Sequence, residues 1–264
     1  MLSNLRQLFR YRGLVQILVA RELKARYRGS VLGFFWSFIN PLLLLLVFSF
    51  VFTEIMPRGD DVDIEPYAVF LFCGLLPWTW FSSSLIDAAN VLIVNGNLIK
   101  KVMFPAEILP VVSVISNMAH FLFGLPILAG FLIYNSVPIH LSELVWFPVV
   151  LVVQFIVTLG FAMVLAALTV HFRDIKDLLS NLLTLWMFAS PIIYPMTFLS
   201  EEAKRFMNLN PFAHLAISYQ EILFYDGPFG HWKWLVALAV AGAAFFLLGY
   251  WLFDRLRDSF AEEV

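Results

Sequence analysis

Long stretches without any charged residue are the feature that most limits how this chain can fold. Six such runs are each about as long as the 20 apolar residues that a transmembrane helix needs. They are 30–53, 66–86, 108–142, 144–172, 178–200 and 234–253. Of the 264 residues, 61% are hydrophobic and 14% are charged, whereas soluble domains have about 25% charged residues. The sequence therefore predicts an all-α polytopic membrane protein with six transmembrane helices.

The basic residues predict the orientation of these spans. An even number of spans places both termini on one side, and that side would hold 13 of the 17 Lys and Arg residues. The other four are Arg58, Lys204, Arg205 and Lys233. Because basic residues concentrate on the cytoplasmic side, we expect a multi-pass protein of the cytoplasmic (inner) membrane with both termini in the cytoplasm.

Segments outside the spans have distinct characters. Residues 1–29 are basic and amphipathic, which predicts a helix that lies in the membrane interface. Its apolar residues form two helical faces, namely Leu5, Leu8 and Phe9, and then Leu14, Ile17 and Leu18. Residues 89–107 are expected to form a cytoplasmic loop. Residues 195–231 would form an outer segment of short helices that re-enter the membrane before the last span, and 254–264 a cytoplasmic tail.

The motifs of common enzymes and metal sites are missing from the sequence. It contains no P-loop, no His-Glu-x-x-His pair and no Gly-x-Ser-x-Gly elbow. The five histidines lack metal-ligand spacing, and His120, which lies deep in a predicted span, is better explained by packing than by proton transfer. Spans without charge disfavour an ion-coupled carrier. We expect a chain that is not an enzyme and holds no cofactor or metal, with energy supplied by a separate ATPase.

A dense aromatic cluster lies where the amphipathic region meets the first span. We predict that Tyr27, Phe34, Trp36 and Phe38 contribute to a conduit that binds sugar rings, although anchoring at the membrane interface explains such a cluster equally simply. Phe34 and Phe38 are four residues apart and share a helical face, whereas Trp36 points elsewhere. Only one of these two sets can line the conduit, and the sequence leaves both open. A net charge of -2 disfavours a nucleic-acid partner.

Several segments resemble a known family of transporters. They are 21–36 followed by Asn40-Pro41-Leu42, then 97–110, then 173–175 with 190–195, and finally Asn210-Pro211. In this order they resemble the ABC-2-type permeases that export O-antigen, capsular polysaccharide and teichoic acid. The resemblance covers nearly the whole chain and implies one ABC-2-type transmembrane domain over 1–264, with spans one to five in 30–194 and span six in 232–253.

The resemblance also implies partners and a cargo. The chain would be the permease subunit of a homodimeric channel with two copies of a nucleotide-binding subunit, which would hold ATP and Mg. The cargo would be a lipid-linked polysaccharide, O-antigen-like, and the alternatives are a teichoic acid, capsule, lipid or drug. Loop 97–110 would contact the ATPase, braced by the N-terminal region. The implied coupling residues are Arg21, Glu22, Lys24, Arg26, Lys100, Lys101, Phe104, Pro105 and Glu107. A membrane enzyme and an assembly factor are the alternatives from other classes.

Overall fold

The computed structural model describes residues 11–55, 64–101, 104–138 and 140–263, and every regular element in these ranges is helical. The α-helices are α1 Arg12–Arg26, α2 Trp36–Phe50, α3 Tyr67–Val94, α4 Gly96–Lys101, α5 Ile108–Tyr134, α6 Leu141–Leu144, α7 Phe147–His171, α8 Asp174–Phe188, α9 Glu201–Met207, α10 Pro211–Leu223, α11 Trp232–Leu256 and α12 Phe260–Glu263. Short 3-10 segments lie at Gly33–Phe35, Met196–Phe198 and Arg257–Ser259, and a π-helical turn at Val51–Ile55. The all-α polytopic fold is confirmed.

Five helical stretches in the described ranges are long and apolar enough to cross a membrane. They are Gly33–Phe50, Tyr67–Val94, Ile108–Tyr134, Leu141–His171 and Trp232–Ser259. The predicted fifth span, 178–200, instead contains the 15-residue helix α8, which is about 22 Å long against a hydrocarbon core of about 30 Å. The count of six spans therefore stays a prediction.

Helix α3 forms the centre of the bundle and contacts α2, α5, α7, α8 and α10. Its large side chains Phe70, Trp80 and Phe81 are almost fully buried. The indole nitrogen of Trp80 donates a hydrogen bond of 3.1 Å to the carbonyl of Val114 in α5. Most of its residues are buried, because neighbouring helices rather than lipid surround it.

Small residues bring α7 and α11 close together. A Cβ atom added to Gly249 of α11 would lie 2.9 Å from the carbonyl oxygen of Gly160 in α7. A Cβ added to Gly242 would lie 2.6 Å from a methyl group of Val157. Close backbone approach at small residues is how transmembrane helices gain van der Waals contact without a hydrophobic driving force.

The predicted end of the second span lies eight residues before the end of helix α3. The sequence placed it at Ile86, because Asp87 ends the charge-free run, whereas α3 continues to Val94. Within α3, the Asp87 carboxylate accepts a hydrogen bond of 2.8 Å from Arg26. The ion pair offsets the cost of a charge in the helix, so the helix does not need to stop there.

The N-terminal region is described from Tyr11 onwards, so Leu5, Leu8 and Phe9 lie outside the described residues. Helix α1 packs along α5, with Leu18 buried against Ile108 and Val112. Ile17 is 67% exposed, so the predicted face of Leu14, Ile17 and Leu18 divides, and only Leu14 and Leu18 pack against the bundle.

Residues 195–231, the predicted outer segment, contain short helices, as the sequence predicted. Asn210 caps α10 through its Oδ1 atom, which accepts hydrogen bonds from the amides of Phe212 and Ala213 at 3.0 and 3.3 Å. The same side chain accepts a bond of 2.7 Å from Trp186 Nε1 and donates one of 2.9 Å to Ser190 Oγ. Asn210 therefore ties α10 to the end of α8, and Pro211 occupies the first helical position, where proline is tolerated.

Candidate functional site

A cleft of about 660 Å³ opens between the C-terminal end of α1 and helices α2, α3 and α5. One part of its lining is aromatic and another part carries hydroxyl, amide and imidazole groups. The aromatic residues are Tyr27, Trp36, Phe72, Trp80 and Phe121, and the polar ones include Ser30, Ser37, Asn40, Thr79, Ser83, Asn117 and His120. The cleft therefore offers both flat apolar faces and hydrogen-bonding groups to a ligand.

An ion pair stands at one end of this cleft. Arg26, at the end of α1, bonds through Nη2 to Asp87 at 2.8 Å and through Nη1 to Asn117 Oδ1 at 3.1 Å. Asn117 Nδ2 in turn donates to the same Asp87 oxygen at 2.7 Å. The three side chains join α1, α3 and α5. Asp87 neutralises Arg26, so the cleft has little net charge.

A chain of hydrogen bonds continues along the lining. Ser37 Oγ donates to Tyr27 Oη at 2.8 Å, and Tyr27 Oη lies 3.3 Å from His120 Nδ1. Because the phenol accepts from Ser37, its own proton is available for His120. His120 Nε2 has no hydrogen-bond partner in the described part of the chain. These bonds fix the Tyr27 ring at the boundary of the cleft.

The structure separates the two predicted aromatic sets. Trp36 lines the cleft, and its Nε1 donates a hydrogen bond of 3.0 Å to Ser30. Phe34 and Phe38 contact each other, with ring centroids 5.8 Å apart, and pack on Phe123 at 4.7 and 5.3 Å. Tyr27 and Trp36 thus line the cleft. Phe34 and Phe38 lie outside its lining, although the Phe34 ring packs edge-on against the Tyr27 ring at 6.4 Å.

The predicted coupling loop begins with α4 and ends at the start of α5. Lys100 is exposed at the end of α4, and nothing is described of the Lys101 side chain. Phe104 packs against both α1 and the main core. Pro105 precedes the turn into α5, where its carbonyl accepts from the amide of Ile108. Glu107 is only 2% exposed, and its Oε2 atom lies 3.9 Å from Arg257 Nη1.

The N-terminal coupling residues lie in two places. Arg21 donates a long hydrogen bond of 3.4 Å to Asn95, next to α4. Glu22 is half-buried and Lys24 is exposed. Arg26, which the resemblance assigned to coupling, lines the cleft instead. The roles of these residues stay predictions.

Sequence reasoning missed three residues that define this site. Asp87 and Asn117 complete the ion-pair network, and His120, which was assigned to packing, lines the cleft. The available signal was the polarity of these residues at the ends or in the interior of apolar helices. Their partners are 30 to 93 positions away along the chain, so no local pattern pairs them.

A second polar cluster lies in the outer segment. His214 Nε2 donates to the Asn208 carbonyl at 3.0 Å, so its Nδ1 accepts from His231 Nε2 at 2.9 Å. Glu221 accepts from the amides of Gly230 and His231, each at 3.0 Å. Burial raises the pKa of Glu221 and lowers the pKa of His214. Burial, with the adjacent His214, lowers the pKa of His231 to about 4.

No group of three or more His, Cys, Asp and Glu side chains in the described ranges could hold a metal ion. The cleft joins aromatic faces to hydroxyl, amide and imidazole groups, which suits a ligand with many hydroxyl groups and flat C–H faces. The carboxylate at its end, Asp87, is paired with Arg26.

Two comparisons with known proteins place the chain in a family. A family model described as ABC-2 type transporter matches residues 13–224. An O-antigen export system permease protein RfbA from Myxococcus xanthus is 40% identical over 267 aligned residues, covering 100% of both chains. The chain belongs to the ABC-2 type transporter family.

Other ABC-2 relatives carry related names. An O-antigen export system permease protein RfbA from Klebsiella pneumoniae is 32% identical over 249 residues, which is 94% of each chain. A polysialic acid transport protein KpsM from Escherichia coli is 25% identical over 214 residues, covering 76% of this chain and 77% of its own. The resemblance to the ABC-2 permeases inferred from the sequence is therefore confirmed.

Proposed function

We propose that this ABC-2 chain is the permease subunit of an ATP-driven exporter that moves an O-antigen-like, lipid-linked polysaccharide across the cytoplasmic membrane. The observation that carries the proposal is the 40% identity to an O-antigen export permease along the entire length of both chains. Two permease copies would form the channel, and two ATPase subunits would bind ATP and Mg on the cytoplasmic side, where both termini of the permease would lie.

The cleft supports a sugar as the moving cargo. Tyr27 and Trp36 give it aromatic surface, and Ser30, Asn40 and Asn117 give it hydrogen-bonding groups. Stacking of a nucleic-acid base on an aromatic side chain is worth about 1–3 kcal/mol, and a sugar ring should gain no more than that. Several weak contacts let a polymer advance without being trapped.

Polar side chains exposed within an otherwise apolar surface support a homodimer. Leu42, Leu46 and Phe50 of α2 are 37–58% exposed, and Leu178 and Leu185 of α8 are 58% and 66% exposed. Lipid alone could cover these side chains. Helix α8 also exposes Ser180, Asn181 and Thr184, and polar side chains of this kind are better covered by a second copy or by a wet channel than by lipid.

A capsular polysaccharide is the second candidate cargo. The similarity to the polysialic acid transport protein favours it, although that similarity is lower and covers less of the chain. An exporter of a teichoic acid, a lipid or a drug accounts less well for a cleft that combines aromatic faces with hydroxyl and amide groups.

The conduit is tested by export in cells whose own copy has been deleted. Trp36→Ala should reduce the amount or the length of surface polysaccharide several-fold, because the cleft loses the more exposed of the two tryptophan rings in its lining. The matched comparison is the double variant Phe34→Ala, Phe38→Ala, which removes rings outside the cleft lining. Normal export by Trp36→Ala at matched protein level would contradict the conduit.

A further inference from the structure

The C-terminal tail, defined here as residues 257–263, is folded against the cytoplasmic ends of other helices. We propose that this tail is a positioning element that holds α4 and the loop 104–107 in the geometry that the ATPase subunit engages. This inference rests on the proposed coupling role of that loop. It adds residues that lie beyond the part of the chain matched by the family model, 13–224.

The first anchor of the tail is an apolar side chain in a charged segment. Phe260 is 0% exposed, although its neighbours Asp258 and Glu262 are exposed. Its ring lies 5.1 Å from that of Phe253 and 6.2 Å from that of His171. A tail that only trailed into the cytoplasm would not bury its one phenyl ring.

The second contact is a long ion pair with the loop itself, in which the buried Glu107 Oε2 atom makes no hydrogen bond within the described part of the chain. Glu107 is buried, and the cationic group within 4.0 Å of its carboxylate in the described chain is Arg257, at 3.9 Å. Arg257 also lies 3.7 Å from Asp254. A buried carboxylate without a nearby cation must take up a proton or move towards water. Movement of Glu107 would displace the loop, because Glu107 is its last residue before α5.

Polar bonds join the tail to the end of α7, and α12 packs beside α4. Ser259 Oγ lies 3.0 Å from His171 Nε2, and Arg173 Nη2 donates to the carbonyl of Glu263 at 3.3 Å. Helix α12 contacts α4, the helix that carries Lys100. The tail therefore touches α4 and Glu107, which belong to the predicted coupling region, and also the end of α7.

Helix α1 holds the opposite flank of the same loop. Phe104 packs against the cluster that Leu18 forms with Ile108 and Val112. Both terminal regions thus hold the loop 104–107 in place. Helix α1 does so through apolar contact, and the tail through Arg257 and Phe260. A movement of the ATPase that displaces this loop would be transmitted to both α5 and α11, because the loop is linked to both helices.

The test combines hydrogen exchange and export, using the full-length permease. Arg257→Gln and Phe260→Ala should each speed amide exchange in residues 96–107 of the purified protein about tenfold or more, since local opening becomes easier. The same variants should lower polysaccharide export in cells several-fold while leaving the amount of permease in the membrane unchanged. Arg257→Lys keeps the positive charge and Phe260→Leu keeps the apolar volume. Both variants should therefore show amide exchange and export close to those of the wild type.

Matched controls separate positioning from general damage. Arg255→Gln removes an exposed arginine two residues away that lies over the Trp251 ring. Phe206→Ala removes a phenyl ring that is 76% exposed. Both should leave exchange in 96–107 and export as in the wild type.

A Phe104→Ala arm distinguishes failure of this inference from failure of the proposed coupling. Normal export by Phe104→Ala would refute the coupling role of the loop. Export lost in Phe104→Ala but normal in Arg257→Gln and Phe260→Ala would refute only the tail. Unchanged exchange in 96–107 for both tail variants would overturn the inference whatever export shows.

Discussion

Replacing Asn210 should loosen the outer segment from the end of α8. In Asn210→Ala the cap of α10 is lost, which costs about 0.5–2 kcal/mol. The variant also leaves the partly buried Trp186 Nε1 without its acceptor at 2.7 Å, which costs a further ~1–3 kcal/mol. We expect the free energy of unfolding to fall by about 2–4 kcal/mol, or the melting temperature by roughly 5–15 °C.

The assay is thermal unfolding of the purified permease in detergent. Asn210→Asp keeps the acceptor atom for the amides of Phe212 and Ala213 but loses the donor to Ser190, so its loss should be smaller. Asn208→Ala is the control, because the Asn208 side chain is exposed. Asn208 accepts the hydrogen bond from His214 through its backbone carbonyl, which the substitution keeps. If Asn210→Ala and Asn208→Ala have the same melting temperature, the reasoning about the hydrogen bonds of Asn210 is wrong.

Three further predictions concern packing, pH and topology. Gly249→Val should lower the melting temperature by several degrees or prevent folding, because its Cβ would lie 2.9 Å from a backbone oxygen. The free energy of unfolding should fall by about 1 kcal/mol, after solvent screening, as pH drops from 6.5 towards 4. The reason is that His214 and His231 have lowered pKa values in the folded chain, so the unfolded chain binds more protons. The melting temperature of His231→Gln should depend less on pH. A cysteine replacing Lys204 should react with an impermeant maleimide in intact cells and one replacing Lys100 should not, and the reverse pattern would overturn the orientation.

Periodicity and charge predicted much of the fold because they act locally. The predicted third span, 108–142, contains the long apolar helix Ile108–Tyr134. The short helices expected in residues 195–231 are also present, as α9 and α10. These features follow from the hydropathy and the backbone hydrogen bonding of residues that are close together in the sequence.

What the sequence could not predict depends on distant partners. In the sequence, Asp87 ends a charge-free run. In the fold, it is neutralised by Arg26, which lies 61 positions earlier in the chain. Phe260 looked like part of a polar tail, and only the fold shows the site that receives its ring. The choice between Trp36 and the Phe34–Phe38 pair also needed the positions of α3 and α5, which form the other walls of the cleft.

Transport by the purified protein tests the central claim most directly. Permease reconstituted into liposomes with its ATPase subunit should move a lipid-linked polysaccharide across the bilayer when ATP is added. A glycan-specific probe on the far side of the bilayer would then detect a signal that is absent with a non-hydrolysable ATP analogue and reduced several-fold by Trp36→Ala. Hydrolysis of ATP without any appearance of the polysaccharide on the far side would contradict the account.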